Sequence, residues 1–316
     1  MKRRSILLQK PKALRKGARI AVVSPSSPAE PAAVAAGIAG LRRLGFQVEE
    51  LPPLPPLGYF AGAHEELVRQ FRKPFHDKSV DGVIATRGGY GANYLVDLRL
   101  GTSLFGPKCL IGFSDLNVIQ LLMYEVRSWA GFYGPMVAAG FNHGANQPCG
   151  YDEGSFLQAV GETKPKWSIP LRGESVSTGS ATGRIVGGCL TMLQTTLGTG
   201  WDPDTQGAIL VLEDRGMKPY QVDRALRHLW QAGKLQDVHG VVLGDFPDSE
   251  PAVAAGSPTI REICERILGP LGVPIVYGAA IGHTKRPMLT IPLGVRAKLH
   301  AKGEGTLEIL EPAVVE

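Results

Sequence analysis

Residues 109–116 read Cys-Leu-Ile-Gly-Phe-Ser-Asp-Leu, a short apolar run followed at once by the start of an apolar helical pattern. The run predicts a buried strand, and the pattern predicts a helix from Asp115 to about Arg127, with Ser114 at the junction. A strand–turn–helix of this kind can expose a serine hydroxyl at the carboxyl end of a sheet. A plain N-cap is the commoner role of such a serine, and Leu116 stands where a nucleophile turn usually has glycine. The stretch therefore predicts an α/β unit and leaves both roles of Ser114 open.

Strands and helices alternate through the residues around this stretch. Strands are predicted at 19–24, 46–51 and 82–86, and helices at 30–44 and 64–77. Alternation at this spacing predicts a parallel α/β sheet over residues 15–140.

The second half of the chain has a different pattern. Only two good helices are predicted there, at about 219–232 and 259–268, against strand-like runs at 182–187, 208–213, 240–244, 274–281 and 288–300. The middle of the chain is rich in Gly, Pro, Ser and Asn and shows little periodicity. We therefore predict an N-terminal parallel-sheet α/β domain (1–145), an interdomain connection (146–180) and a β-rich α+β C-terminal domain (181–316).

Length and composition exclude several classes of protein. A chain of 316 residues, 44% hydrophobic and 20% charged, is typical of two globular domains rather than a disordered chain or a coiled coil. The net charge of +5 is spread without a run of five like charges, so no nucleic-acid partner is predicted. No apolar run reaches 18 residues, so no membrane span is predicted. The basic start at residues 1–4 precedes an apolar stretch too short for a signal peptide, and we expect a cytoplasmic protein.

The sequence gives no indication of a metal or a cofactor. The four cysteines lie 40 or more residues apart, without C-x-x-C or H-E-x-x-H, so we expect reduced thiols and no metal site. The glycine loop Arg87-Gly88-Gly89-Tyr90-Gly91 lacks both the dinucleotide-binding pattern and the P-loop pattern.

Three further stretches end apolar strands with groups that serve a nucleophile. Amides of the glycine loop could bind an oxyanion together with the amide of Asp115. Glu213 ends the run 208–213 and Asp214 follows it, and His283 follows the run 274–281. A plain turn, a solvated carboxylate and a structural histidine are the commoner roles of these features taken singly. Together they supply a nucleophile, an acid and a base, in an order that a triad permits but does not require.

At these residues the sequence resembles the LD-carboxypeptidases, the serine peptidase family that includes muramoyltetrapeptide carboxypeptidase and the microcin-immunity peptidases. The resemblance runs in order through most of the chain. It is carried by residues 21–28, 85–91, 112–115, 134–136, 187–190, 212–214, 219–224 and 282–294. Each block is short, but the ordered set is specific.

The resemblance implies a Ser–Glu–His triad, which falls on Ser114, Glu213 and His283. It implies an N-terminal domain that carries the serine, a C-terminal domain that carries the acid and base, and an active site between them. The expected reaction is release of the terminal D-alanine from a muropeptide or small peptide, without a cofactor, and the family is commonly a homodimer. The family usually has asparagine where Cys189 stands and often near Met288, so these departures leave the substrate preference open.

The resemblance also implies an oxyanion hole of backbone N–H groups, which falls on Gly88 or Gly89 and on Asp115. A carboxypeptidase must bind a free carboxylate as well. Three cations near the motifs are candidates for that role, although each is also an ordinary surface charge: Arg87, Lys285 and Arg286.

Two alternatives stay open. A microcin-immunity-type peptidase would cleave peptidyl or aminoacyl nucleotide amides with the same triad, and aromatic residues in the pocket would distinguish it. A noncatalytic two-domain protein would bind a small ligand in its interdomain cleft, and Ser114 would then be dispensable. An amidotransferase-like activity is disfavoured because such glutaminases use a cysteine thiolate where this chain has serine.

Overall fold

The computed structural model describes residues 7–97, 106–249 and 256–316, so the basic start at residues 1–4 lies outside the described residues. In the first half of the chain the strands are β1 (Arg19–Val23), β2 (Gln47–Glu50), β3 (Gly82–Ala85), β4 (Cys109–Gly112) and β5 (Gly131–Tyr133). The helices are α1 (Pro31–Arg43), α2 (His64–His76), α3 (Ala92–Asp97), α4 (Asn117–Arg127) and α5 (Glu153–Gly161). The predicted elements of this half are therefore confirmed within a few residues.

Strands dominate the second half. They are β6 (Trp167–Pro170), β7 (Glu174–Ser177), β8 (Gly179–Cys189), β9 (Ile209–Glu213), β10 (Gly240–Gly244), β11 (Ile275–Ala279), β12 (Ile291–Leu293), β13 (Arg296–Ala301) and β14 (Thr306–Ile309). The helices are α6 (Leu190–Thr196), α7 (Pro219–Gln231) and α8 (Ile260–Leu268). Helix α6 was not predicted, because a helix of seven residues is too short to show a periodic pattern.

The first sheet has six strands in the order β12-β5-β4-β3-β1-β2. Strands β1 to β5 are parallel, as the alternation of strands and helices predicted. The remaining strand, β12, comes from the predicted run 288–300 and pairs antiparallel with β5. The C-terminal part of the chain therefore completes the sheet of the N-terminal part.

The second sheet has eight strands in the order β6-β14-β13-β8-β9-β10-β11-β7. Strands β8 to β11 are parallel, and antiparallel strands flank them on both sides. The fold class, a parallel α/β part followed by a β-rich α+β part, is confirmed. The predicted connection at 146–180 did not anticipate α5, β6 and β7, because four-residue edge strands depend on their neighbours rather than on their own pattern.

Helix α4, which follows Ser114, is packed between the two halves. Its residues from Asn117 to Met123 are all buried, which is typical of a helix enclosed on every side. A continuous cluster of buried apolar side chains extends from Ile20 in the first sheet to Leu299 in the second. The turn that holds Ser114 is therefore fixed by packing from both sheets.

All four cysteines are free thiols, three of them buried, as expected for a chain that does not rely on disulfides. No helix among the described residues combines the length and apolar character needed to cross a bilayer.

Candidate active site

Ser114 has a backbone conformation that an ordinary N-cap does not adopt. Its φ is +59°, whereas N-cap residues have extended backbone, and the residue at the cap of α4 is Leu116. A short 3₁₀ turn, Ser114–Leu116, joins β4 to α4, so the predicted helix starts two residues later than expected. A non-glycine residue at positive φ in a strand-to-helix turn has the strained geometry of a nucleophile turn. The N-cap interpretation of Ser114 is therefore wrong.

The glycine loop comes against Ser114 at Gly88. A Cβ atom on Gly88 would lie 2.9 Å from Ser114 Oγ and 3.5 Å from the backbone nitrogen of Asp115, so only glycine fits without a shift. Gly89 instead faces Ser27, whose hydroxyl accepts a hydrogen bond from the Tyr90 backbone N–H at 3.1 Å. Of the two glycines expected at the oxyanion site, Gly88 is therefore the one in contact with Ser114.

Asp115 links the serine turn to the end of the glycine loop. Its side chain is buried, and Oδ2 accepts a hydrogen bond from the backbone N–H of Ala92 at 2.8 Å. Burial raises the pKa of this carboxyl, and the Ala92 N–H opposes the rise. The side chain of Asp115 thus fixes the loop, while its backbone N–H lies beside Gly88.

Glu213 and His283 form a closely bonded pair. Glu213 is fully buried at the end of β9, and its Oε2 lies 2.9 Å from His283 Nδ1. The same oxygen accepts the His283 backbone N–H at 2.8 Å, while Oε1 accepts a hydrogen bond from the Tyr133 hydroxyl. Gly282 has φ +55°, and a Cβ there would lie 2.3 Å from Glu213 Cδ, so this approach requires glycine.

This arrangement assigns the tautomer of His283. Because Nδ1–H donates to Glu213, Nε2 is left as the proton acceptor. Burial alone would lower the pKa of His283, but the charge and hydrogen bond of Glu213 outweigh burial and raise it. Burial and the Glu213 charge also raise the pKa of Tyr133 well above its usual value, so its hydroxyl remains a donor.

Ser114 and His283 line one cleft of about 750 Å³ between the two halves. Phe113, the residue before the serine, packs edge-on against the His283 ring with centroids 5.0 Å apart. The cleft lining includes Arg87, Gly88, Gly89, Ser114 and Asp115 from the first half and Cys189, Asp214, Arg215, Asp248, His283 and Lys285 from the second. Within the described ranges no hydrogen bond joins Ser114 Oγ to the histidine ring. Such bonds commonly tighten only when substrate binds.

The three predicted carboxylate ligands have different positions. Arg87 and Lys285 line the cleft, and Lys285 Nζ lies 3.5 Å from Asp248 Oδ1. Arg286 is not among the residues that line this cleft. Its Nη2 lies 2.6 Å from Asp245 Oδ1, and its Nη1 donates to the Arg172 carbonyl at 2.6 Å. The guanidinium donors of Arg286 are therefore already engaged within the protein, which disfavours this residue as the ligand of a substrate carboxylate.

Several polar residues that support the site had no role assigned to them in the sequence interpretation. Tyr133 ends β5 and reaches Glu213 across 80 residues of sequence, so no local pattern could indicate it. Asn117 Oδ1 accepts the Cys189 N–H at 3.1 Å and so joins α4 to β8. Asp214 Oδ2 accepts the Thr191 N–H at 2.9 Å. Of these, Asp214 was visible as a second carboxylate at a strand end, but without a role.

Metal chemistry has no candidate site in the described part of the chain. No group of three or more His, Cys, Asp or Glu side chains there is arranged to hold an ion. The cleft brings together a hydroxyl, an imidazole–carboxylate pair and backbone amides. This set is the one that acyl transfer through a serine requires.

Comparison with known proteins gives the same family for both halves. Residues 20–134 match the LD-carboxypeptidase N-terminal domain, and residues 182–299 match the LD-carboxypeptidase C-terminal domain. A probable murein peptide carboxypeptidase of Bacillus subtilis is 31% identical over 296 residues, which cover 92% of this chain and 91% of the relative. The microcin C7 self-immunity protein MccF of Escherichia coli is 26% identical over 267 residues, 75% of this chain and 76% of that protein.

A solved structure extends the comparison to the fold. The crystal structure of muramoyltetrapeptide carboxypeptidase from Oxalobacter formigenes superposes with a TM-score of 0.79 at 28% identity. The superposition covers 93% of this chain and 99% of that one. With both domains matched in sequence and 93% of the chain matched in structure, this protein belongs to the LD-carboxypeptidase family of serine peptidases.

Proposed function

We propose that this protein is a serine LD-carboxypeptidase that releases the terminal D-alanine from murein tetrapeptides, in peptidoglycan recycling. The observation that carries the proposal is the meeting of Ser114, at positive φ against Gly88, with the Glu213–His283 pair in one cleft. The names of the murein peptide carboxypeptidase and muramoyltetrapeptide carboxypeptidase relatives support the choice of substrate.

The proposed reaction begins with neutral His283. Its Nε2 takes the proton of Ser114 as Oγ attacks the carbonyl carbon of the third residue of the peptide. The carbonyl oxygen becomes an oxyanion and accepts hydrogen bonds from the backbone N–H groups of Gly88 and Asp115. Each such donor contributes about 3 kcal/mol to transition-state stabilisation in other hydrolases.

The second half of the reaction returns the enzyme to its starting state. The histidinium gives its proton to the leaving nitrogen, the C–N bond breaks, and D-alanine departs from an acyl-enzyme. A water then gives its proton to His283 and attacks the ester carbon, and Ser114 leaves with that proton. Glu213 accepts the Nδ1–H of His283, holds the imidazole in one tautomer and stabilises its cation. Tyr133 fixes the other carboxylate oxygen.

The small number of aromatic residues that line the cleft favours a peptide substrate over a nucleotide amide. Among the described residues that line the cleft, Phe113 is the only Phe, Tyr or Trp, and its ring packs on His283. Trp129 is buried and stacks on Phe75, and Trp167 is also buried, so neither offers a face to a base. The lining therefore supports the murein peptide as the first substrate to test.

The decisive experiment measures D-alanine release from L-Ala-γ-D-Glu-meso-diaminopimelate-D-Ala in the presence of a chelator. Ser114→Ala is compared with Ser128→Ala, a serine that also has positive φ (52°) but does not line the cleft. We expect release that resists the chelator, survives in Ser128→Ala and is lost in Ser114→Ala.

Two outcomes would contradict the proposal. Release that persists in Ser114→Ala would exclude the serine mechanism. No release by folded wild-type protein would exclude the tetrapeptide, and an aminoacyl nucleotide amide would then be the next substrate.

A further inference from the structure

The chemistry of an exopeptidase restricts where its carboxylate ligand lies. In the proposed reaction the free carboxylate belongs to the departing D-alanine, on the carbon next to the leaving nitrogen. That nitrogen is protonated by His283 Nε2, so the carboxylate must lie within a few bond lengths of the imidazole. A cation that binds it must therefore reach the histidine side of the cleft, close to that nitrogen.

Arg215 stands on that side. It comes two residues after Glu213, lines the cleft, and donates its backbone N–H to Asp214 Oδ1 at 2.8 Å. Burial and, to a smaller extent, the charge of Arg215 oppose the rise in the pKa of His283. Arg215 thus lines the same cleft as His283 and brings a positive charge to it.

The guanidinium of Arg215 also has donors to spare. Its Nη2 lies 2.6 Å from Asp248 Oδ2, and this is the one side-chain bond that it makes within the described residues. The side chain is 60% exposed, so a ligand can approach it without displacing packed atoms. Arg286, by contrast, uses all three of its nitrogens on Asp245 and backbone carbonyls.

The other two cations of the cleft are less well placed. Arg87 directly precedes Gly88 on the oxyanion side, and its Nη1 points to the Pro28 carbonyl at 3.4 Å. Lys285 is 76% exposed, and an ammonium cannot form the two parallel hydrogen bonds by which a guanidinium holds a carboxylate.

We propose that Arg215 is the specificity-determining residue that binds the terminal carboxylate of the substrate, an inference that rests on the proposed function. Asp248 holds the guanidinium through Nη2 and leaves its remaining N–H groups for a bidentate contact with the peptide. The site therefore selects peptides that end in a free carboxylate on the departing residue.

The experiment compares two substrates that differ only at that group, the tetrapeptide and its C-terminal amide. We measure kcat and KM on both for wild type, Arg215→Gln and Arg215→Lys, with Arg227→Gln as a control for loss of an exposed charge outside the cleft. Thermal melting verifies that each variant is folded.

We expect wild type to prefer the tetrapeptide with its free carboxylate (the acid) over the C-terminal amide. Arg215→Gln should lose about 10- to 100-fold in kcat/KM on the acid, which is the range for the loss of one hydrogen bond to a charged group. Its kcat/KM on the amide should stay at the wild-type value. Arg215→Lys should recover part of the loss because the charge remains without the planar fork. Arg227→Gln should behave as wild type on both substrates.

Equal losses on acid and amide in Arg215→Gln would overturn the inference, as would a wild type that cleaves both substrates equally well. Arg87→Gln is measured in the same way, and loss of discrimination in that variant but not in Arg215→Gln would overturn the inference and assign the carboxylate to Arg87. If wild type cleaves neither substrate, the proposed function fails and this inference fails with it. Cleavage of both without preference would overturn the inference alone.

Discussion

The serine turn and the Glu213–His283 pair are held in position in opposite ways. Ser114 is held by its backbone, at φ +59° and against Gly88, and its hydroxyl has no hydrogen-bond partner within the described ranges. His283 is held by side-chain and backbone hydrogen bonds to Glu213, a fully buried carboxylate. Ser114 is positioned by a strained backbone conformation, and His283 is positioned by hydrogen bonds to a buried carboxylate.

The difference follows from what each group does in the proposed reaction. A nucleophile must reach a carbonyl carbon, so its hydroxyl has to project into the cleft, and backbone geometry achieves this without occupying the oxygen. A general base must keep one tautomer and stabilise a positive charge, which needs a partner protected from water. We therefore expect the pair to be sensitive to changes of charge and the turn to changes of shape.

The most severe test of the pair is Glu213→Gln. We expect kcat to fall by about 10⁴-fold, the loss seen for the equivalent replacement in another serine hydrolase triad. The side-chain amide of the new glutamine can donate a hydrogen bond to His283 Nδ1, which favours the tautomer with the proton on Nε2. In that tautomer Nε2 cannot accept the proton of Ser114. Steady-state release of D-alanine, together with a melting curve, measures the effect. A folded variant that kept a tenth of the activity would show that Glu213 does not orient the base.

The shape of the turn is tested by Gly88→Ala. The new methyl would lie 2.9 Å from Ser114 Oγ, so it must displace the serine or the amide that faces the oxyanion. We expect kcat to fall by about 10²- to 10³-fold, as for loss of one oxyanion donor. Gly200→Ala is the matched control because nothing lies within 4 Å of its methyl position. Equal kinetics for both variants would remove Gly88 from the site.

The smallest expected effect is a shift in pH dependence. Because Glu213 raises the pKa of His283, activity should be lost as pH falls through a value above the usual 6.5. Tyr133→Phe removes a donor that partly neutralises the carboxylate, which should raise the pKa of His283 further. A kcat/KM profile should then show its acid limb displaced to higher pH, with a loss of about tenfold or less for one hydrogen bond. An acid limb with its midpoint at or below pH 6.5 would contradict this electrostatic account, as would an acid limb that does not move in Tyr133→Phe.

Sequence reasoning recovered what depends on local pattern. The alternation around residues 109–116 predicted the parallel sheet, and strand ends predicted the positions of Glu213 and His283. It did not find Tyr133 or Asn117, whose hydrogen bonds join the two halves. Sequence neighbours do not indicate such partners, because their meeting is decided by how the two sheets pack. The φ of Ser114 likewise became visible only in three dimensions.

The pairing of β12 with β5 has a consequence for how the molecule is made. Strand β5 is complete once Tyr133 has been synthesised, but its partner, Ile291–Leu293, follows roughly 160 residues later. At about 5–20 residues per second, the ribosome needs roughly 8–30 s to supply it. During that interval the edge of β5 is open to pairing with another chain. The first half of the protein is translated first, yet its sheet is complete only when Ile291–Leu293 has been synthesised.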